Sequence, residues 1–380
     1  MKKFFSLLTI ALTAALASIL LSNQQKSEPF VVGKPDIKAM SSLTFSPEGM
    51  LFVGDSRSSQ LFAIDLAQEG KATEEVSFRI PDVDQKLAAM LGCKPSDVMI
   101  HDLAVHPQSK DAYIAVSNGG ADWSWDFHLP NDLRDAQLLF KVDAEGKISE
   151  VSLDEIRYSK VGIANPVPED IEHRWKKGAK LRVDVVSDMF FDAGKLYVAG
   201  LSNEEFVSTM RVYDFPFTEN NKATELEIYH GAHGAWETKS PVRSFVPFEM
   251  NGEKHLLAAY LCTPLVTIPA EKLEDGAHIK GKTIAELGYG NYPLDMVALE
   301  KDGKTKVLIA NSNRNMMQLD IEDIEGTEEI SEYAPMGSGV KHQTLPGGSL
   351  YQMAKQDAGH ALIMRRSPNG QLKMETIGAR

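Results

Sequence analysis

Short apolar runs separated by glycine-bearing turns recur along the whole chain, and the runs carry the alternation expected of β-strands rather than helical spacing. The first unit reads Leu43-Thr44-Phe45-Ser46-Pro47-Glu48-Gly49-Met50-Leu51-Phe52-Val53, then Leu61-Phe62-Ala63-Ile64-Asp65. Comparable units run from Leu103 to Asp143 and from Met189 to Asp214, and others turn at Asn251-Gly252, Asp302-Gly303 and Asp357-Ala358-Gly359. Glycine supplies the positive φ that such hairpins require. Helix is expected only in a minor share, with Asp84 to Leu91 the best candidate.

Six units spaced roughly 50 to 90 residues apart are the signature of a repeat architecture built from four-stranded meanders. The expectation is an all-β, six-bladed β-propeller; a seven-bladed ring is the alternative, since two long stretches, Gly119 to Ala136 and Asn165 to Gly178, could hide a further unit. The apolar strand around Phe30-Val31-Val32 has no hairpin partner before the first unit, and the last unit is a strand short. The two deficits together predict that an N-terminal strand closes the ring by completing the last blade, removing an open edge. Residues 28–380 are thus expected to form one propeller domain with a second-blade insertion.

The run Phe45 to Val53 resembles the strand–turn–strand units of NHL-type and SMP-30-like propellers, and Gly200 to Phe206 and Gly234 to Arg243 resemble uncharacterised exported bacterial propellers. The resemblance implies the propeller architecture and carries no activity with it.

Taking Leu43, Leu103, Met189, Phe245, Met296 and Leu350 as equivalent, the residues just before them are Ser42, Asp102, Asp188, Ser244, Asp295 and Ser349. In a propeller these converge on one mouth of the central channel. Asp102, Asp188 and Asp295 are candidate ligands for a divalent cation such as calcium, which prefers several oxygens; equally, such side chains can bond to neighbouring strand-start amides. Pro293-Leu294-Asp295 falls where SMP-30-like propellers place a calcium-binding aspartate, a role that only the resemblance implies. The loops of the same face bring Asp55, Arg57, Asn118, Asn203, Cys262, Asn311, Asn313, Arg314 and Arg365 as candidate binding residues. His101, beside Asp102, is the candidate catalytic base. Trp123, Trp125 and His128 could form a lid, and His230-Gly231-Ala232-His233 offers two imidazoles, though without a third ligand. No G-x-S-x-G, Walker, dinucleotide or haem-attachment motif occurs.

The N-terminus changes the compartment. Lys2 and Lys3 followed by an uncharged, largely apolar stretch from Phe4 to Leu21 read as a signal peptide or an N-terminal anchor over residues 1–22. The protein is therefore expected in the periplasm or secreted, with membrane contact only if that segment is retained. A formal charge of −13 argues against nucleic acid. The hydrophobic share of 43% against 24% charged residues excludes disorder and a multi-span membrane protein. Two cysteines, Cys93 and Cys262, are too few for a disulfide scaffold, and their pairing stays open. The functional expectation is a binding or partner-interaction propeller whose Asp-lined face engages a small molecule, a cation or an envelope protein; the alternative is a metal-dependent hydrolase or lactonase.

Overall fold

The computed structural model describes residues 29–380, apart from 67–69, 73, 119–137, 174–178, 219–220, 263, 289 and 349. The proposed signal segment, the stretch with Trp123, Trp125 and His128, and Ser349 lie outside the described residues. The architecture is an all-β propeller. Its meanders begin with the inner strands Met40–Phe45, Val98–Val105, Asp188–Asp192, Ser244–Met250, Pro293–Lys301 and Gln352–Lys355. Each continues outward through antiparallel neighbours, as in Asp188–Asp192, Lys195–Leu201, Ser208–Asp214 and Asn221–His230.

The hairpins follow from local chemistry. Ala193-Gly194, Asn251-Gly252 and Asp302-Gly303 are two-residue turns in which both residues have positive φ, from 46° to 76°. This is the geometry that matches the twist of paired strands. Pro95–Asp97 and Val83–Leu91 supply short helical connections, the latter covering the expected helix.

Hydrogen bonding divides the strands into five sheets, because the third and fourth meanders are fused into one of ten strands. The weld is narrow: Glu225–Ile228 pair in parallel with His278–Gly281. The inner strands meet side by side in a closed cycle: first with second, second with sixth, sixth with fifth, fifth with fourth, fourth with third, and third with first. Six apolar clusters fill the seams of that cycle, for example Leu43, Phe62 and Tyr113 between the first and second meanders, and Phe52, Met189 and Val198 between the first and third. Around the ring the order is therefore second, first, third, fourth, fifth, sixth, so the first two meanders are exchanged relative to the sequence.

Two short strands correct the expected closure. The last meander is completed by Arg79–Ile80, which pair with Glu375 and Met374, rather than by the N-terminal strand. Ile80 is 4% exposed and packs with Val83, Leu87 and Met374. The N-terminal strand Val31–Gly33 instead lies outermost on the first sheet, against Ile156–Tyr158, where Val32 stays 73% exposed. Burial explains the difference: an isoleucine that fills a seam gains far more than a valine left in water. The strand Ile156–Gly162 returns from beyond the second meander to cover Gln60–Ile64, which accounts for part of the long second interval.

Candidate functional site

The channel mouth is built where the inner strands begin. Asp102 pairs across its hairpin with Ala115, Asp188 with Ala199, Ser244 with Ala259 and Asp295 with Ala310, while Ser42 faces Gly54. The sixth equivalent is Gln352, opposite Met364, and not Ser349. Around the ring the sequence is Asp102, Ser42, Asp188, Ser244, Asp295, Gln352, so an acid occupies every second position.

Each acid is a staple. Asp102 accepts from its own neighbour Leu103 N–H (2.8 Å) and from Leu43 N–H (2.6 Å) on the first meander. Asp188 accepts from Met189 N–H (2.7 Å) and from Phe245 N–H (2.9 Å) on the fourth. Asp295 accepts from Met296 N–H (2.7 Å), and the Met353 amide of the sixth meander stabilises its charge. Burial pushes Asp102 up to about 6. Burial, then the Asp102 charge, pushes Asp188 up to about 7. Asp295 is raised well above the carboxylate range by burial and by both other acids. The three do converge, but as amide-bound, mutually repelling acids. They do not share one coordination sphere: among the described residues the only cluster with ligand atoms that close is elsewhere.

The other sequence candidates divide. Asp55 is fully buried, its oxygens taken by the N–H groups of Lys38, Ala39 and Ser58, and Asn311 is fully buried against Asn291, Ile309 O and Asn315 O. Both hold loops in place rather than line a pocket, because every strong acceptor or donor they carry is used internally. Asn313 donates to Gly290 O, Arg314 to Leu287 O, and Arg365 pairs with Glu375 at 2.5 Å. Arg57, Asn118 and Asn203 are exposed. His101 is 9% exposed, with Nε2 2.7 Å from Ser117 Oγ, and burial pushes it down to about 4. It is an enclosed neutral imidazole at a β-bulge, without the access that a general base for an incoming substrate requires. Cys93 and Cys262 are free thiols.

The residues that do converge are His230, His233 and Glu237, whose ligand atoms lie within 4.8 Å of one another. The strand Asn221–His230 outruns its own meander, where pairing stops at Glu225 opposite Thr209, and carries on to the rim. There it reverses through His230–Gly234, with His233 N–H on His230 O (3.0 Å) and Gly234 at φ 62°, into Ala235–Glu237. Glu237 pairs with Ile228, two residues before His230, so strand alternation turns its side chain to the face of His230. His230 Nδ1 is 3.1 Å from Glu237 Oε2, and His233 Nδ1 is 2.5 Å from Glu237 Oε1. Burial alone would raise Glu237, but the hydrogen bonds from the two histidines outweigh it and hold the carboxyl below its usual value. His230 is buried and the His233 side chain is half open to solvent, so the cluster is reachable from one side. Spacing revealed the two histidines. Glu237 went unnoticed because its approach depends on the turn.

No family model and no curated protein matches the chain. Among solved structures, the chain is similar to one described as the crystal structure of the mitotic checkpoint complex, at 8% identity and a TM-score of 0.32, covering 93% of this chain and 92% of the other. It is also similar to dihydro-heme d1 dehydrogenase NirN in complex with DHE, at 12% identity and a TM-score of 0.33, covering 90% of this chain and 58% of that one.

Proposed function

We propose that this chain is a six-bladed β-propeller of the bacterial envelope that acts as a binding protein and holds a divalent transition cation on the rim of its mouth-side face. The blade count treats the ten-stranded sheet as two meanders joined by their outer strands. The basic, then apolar, N-terminus supports export. The observation that carries the binding role is the convergence of His230, His233 and Glu237.

Two imidazoles and one carboxylate suit zinc and its neighbours rather than calcium, which takes oxygen ligands almost alone. The cation expected at the aspartates is therefore assigned to the histidines. Three protein ligands leave a fourth position to solvent or to a bound molecule. The hydrolase reading loses its base with His101 enclosed and neutral.

Zinc titrated into chelator-treated, dialysed protein should bind one equivalent and raise the melting temperature, since a ligand that binds only the native state stabilises it by about 2.7 kcal/mol at a hundred times its Kd. His233→Ala, at a half-exposed turn position, should fold as the wild type does and lose at least about tenfold in zinc affinity. Absence of saturable binding by the wild type would overturn the proposal.

A further inference from the structure

His230 is held between two carboxylates, and only one of them belongs to the cluster just described. Its Nδ1 faces Glu237, whereas its Nε2 lies 3.5 Å from Glu286 Oε2. Both of these facing atoms are buried and make no hydrogen bond, in side chains 3% and 1% exposed. Two complementary polar atoms left like this in a closed space are the exception in folded proteins and call for a reason. Glu286 cannot swing away to find another partner. Its Oε1 accepts Gly231 N–H at 2.6 Å, and Gly337 N–H holds its carbonyl at 2.6 Å. Its strand is paired on one side with Pro264 and on the other with Ser338. Gly231 lets the turn approach this closely, since a Cβ there would meet Ile330 at 2.7 Å and Glu286 Oε1 at 3.1 Å.

We infer that Glu286 is the positioning carboxylate of the cation site: when a cation takes Nδ1 of His230 from Glu237, the ring proton moves to Nε2, where the waiting Glu286 Oε2 accepts it. The role rests on the cation reading above. A neutral imidazole carries one ring proton, and whichever nitrogen holds it cannot ligate. With a cation on Nδ1, a carboxylate fixed beside Nε2 holds the proton there, orients the ring and makes Nδ1 a stronger donor, which is how outer carboxylates act on metal-bound histidines. Nδ1 is the atom that already points to Glu237 and shares that carboxylate with His233 Nδ1. Glu286 thus acts through His230 and does not itself touch the metal.

Glu286→Gln separates this role from a merely structural one. The Gly231 N–H needs the amide oxygen, so the amide NH2 must face Nε2, where it favours the lone pair and drives the proton to Nδ1. Titration with Co(II) should give an affinity about 10- to 100-fold weaker than wild type, with the same visible d–d spectrum at saturation. Nitrogen-15 spectra of the wild type should show the proton of His230 on Nδ1 in the metal-free protein and on Nε2 once zinc is bound. The wild-type spectrum alone tests the assignment if the variant fails to fold. An Nε2 that carries no proton in the zinc-loaded wild type, equal Co(II) affinity, or a d–d spectrum altered as by loss of a ligand would each overturn the positioning role. Wild-type protein that binds no Co(II) would overturn the cation reading and this role with it.

Discussion

Asp188 is held by two amides on two different meanders, yet burial and the nearby Asp102 charge keep its proton on up to about pH 7. In the unfolded chain an aspartate releases its proton near 3.8. Between those values the folded state binds more protons than the unfolded one, so the contribution of the ring is complete below about pH 4 and is lost as the pH rises through 6 and 7. Each pH unit across which only the folded state holds one proton is worth about 1.4 kcal/mol. Asp188→Asn cannot ionise, but it leaves one of the two amides facing a second donor, at a cost of about 1 to 3 kcal/mol. The variant should therefore be the less stable protein at pH 4.5, and the gap should narrow or reverse by pH 7.5. Urea midpoints at three pH values test this, and a gap independent of pH would count against a coupled acid ring.

At the scale of elements, the strands that close the sheets differ sharply in what they bury. Ile80 lies inside a seam and Val32 outside everything. Ile80→Ala should cost about 2 to 5 kcal/mol, and Val32→Ala should stay within about 0.5 kcal/mol; comparable losses in urea denaturation would mean that the N-terminal strand matters to closure after all. The same contrast explains what could be read from the chain. Hairpins such as Asn251-Gly252 are local, so the units and five of the six mouth positions were visible as pattern. The sixth position slipped by three residues, from Gln352 to Ser349, because a Gly347-Gly348 pair interrupts the approach to a short inner strand. Arg79–Ile80, a two-residue strand, has no periodicity to detect. Its partner sits nearly three hundred residues away in sequence. The candidate site was half visible for a like reason: His230-x-x-His233 is contiguous, while Glu286 reaches it from another meander.

For the whole molecule, the exchanged order of the first two meanders means that the seams between the first and third and between the second and sixth join parts of the chain that are distant in sequence. The ring holds itself shut by strand exchange, without a covalent link. Cys93 packs at the edge of the seam between the second and sixth meanders, and Cys262 sits in a turn of the fourth, so the fold keeps them apart. Denatured, unreduced protein should accordingly titrate two thiols. A count of zero would require a bridge that this arrangement does not contain.

The returning strand Ile156–Gly162 has a consequence for how the chain is made. The hairpins from Met40 to Asp65 emerge early in synthesis, but the strand that covers their outer edge follows roughly ninety residues later. During that interval Gln60–Asp65 presents a row of unpaired backbone groups to whatever lies nearby, the situation in which strands pair with the wrong chain. Arg79–Ile80, by contrast, is made long before the sheet that needs it and must wait for Leu372–Gly378. In the finished ring Ile156–Gly162 covers that edge, so this hazard belongs to the nascent chain, and a chaperone that shields the early edge would serve this protein better than one that recognises its folded surface.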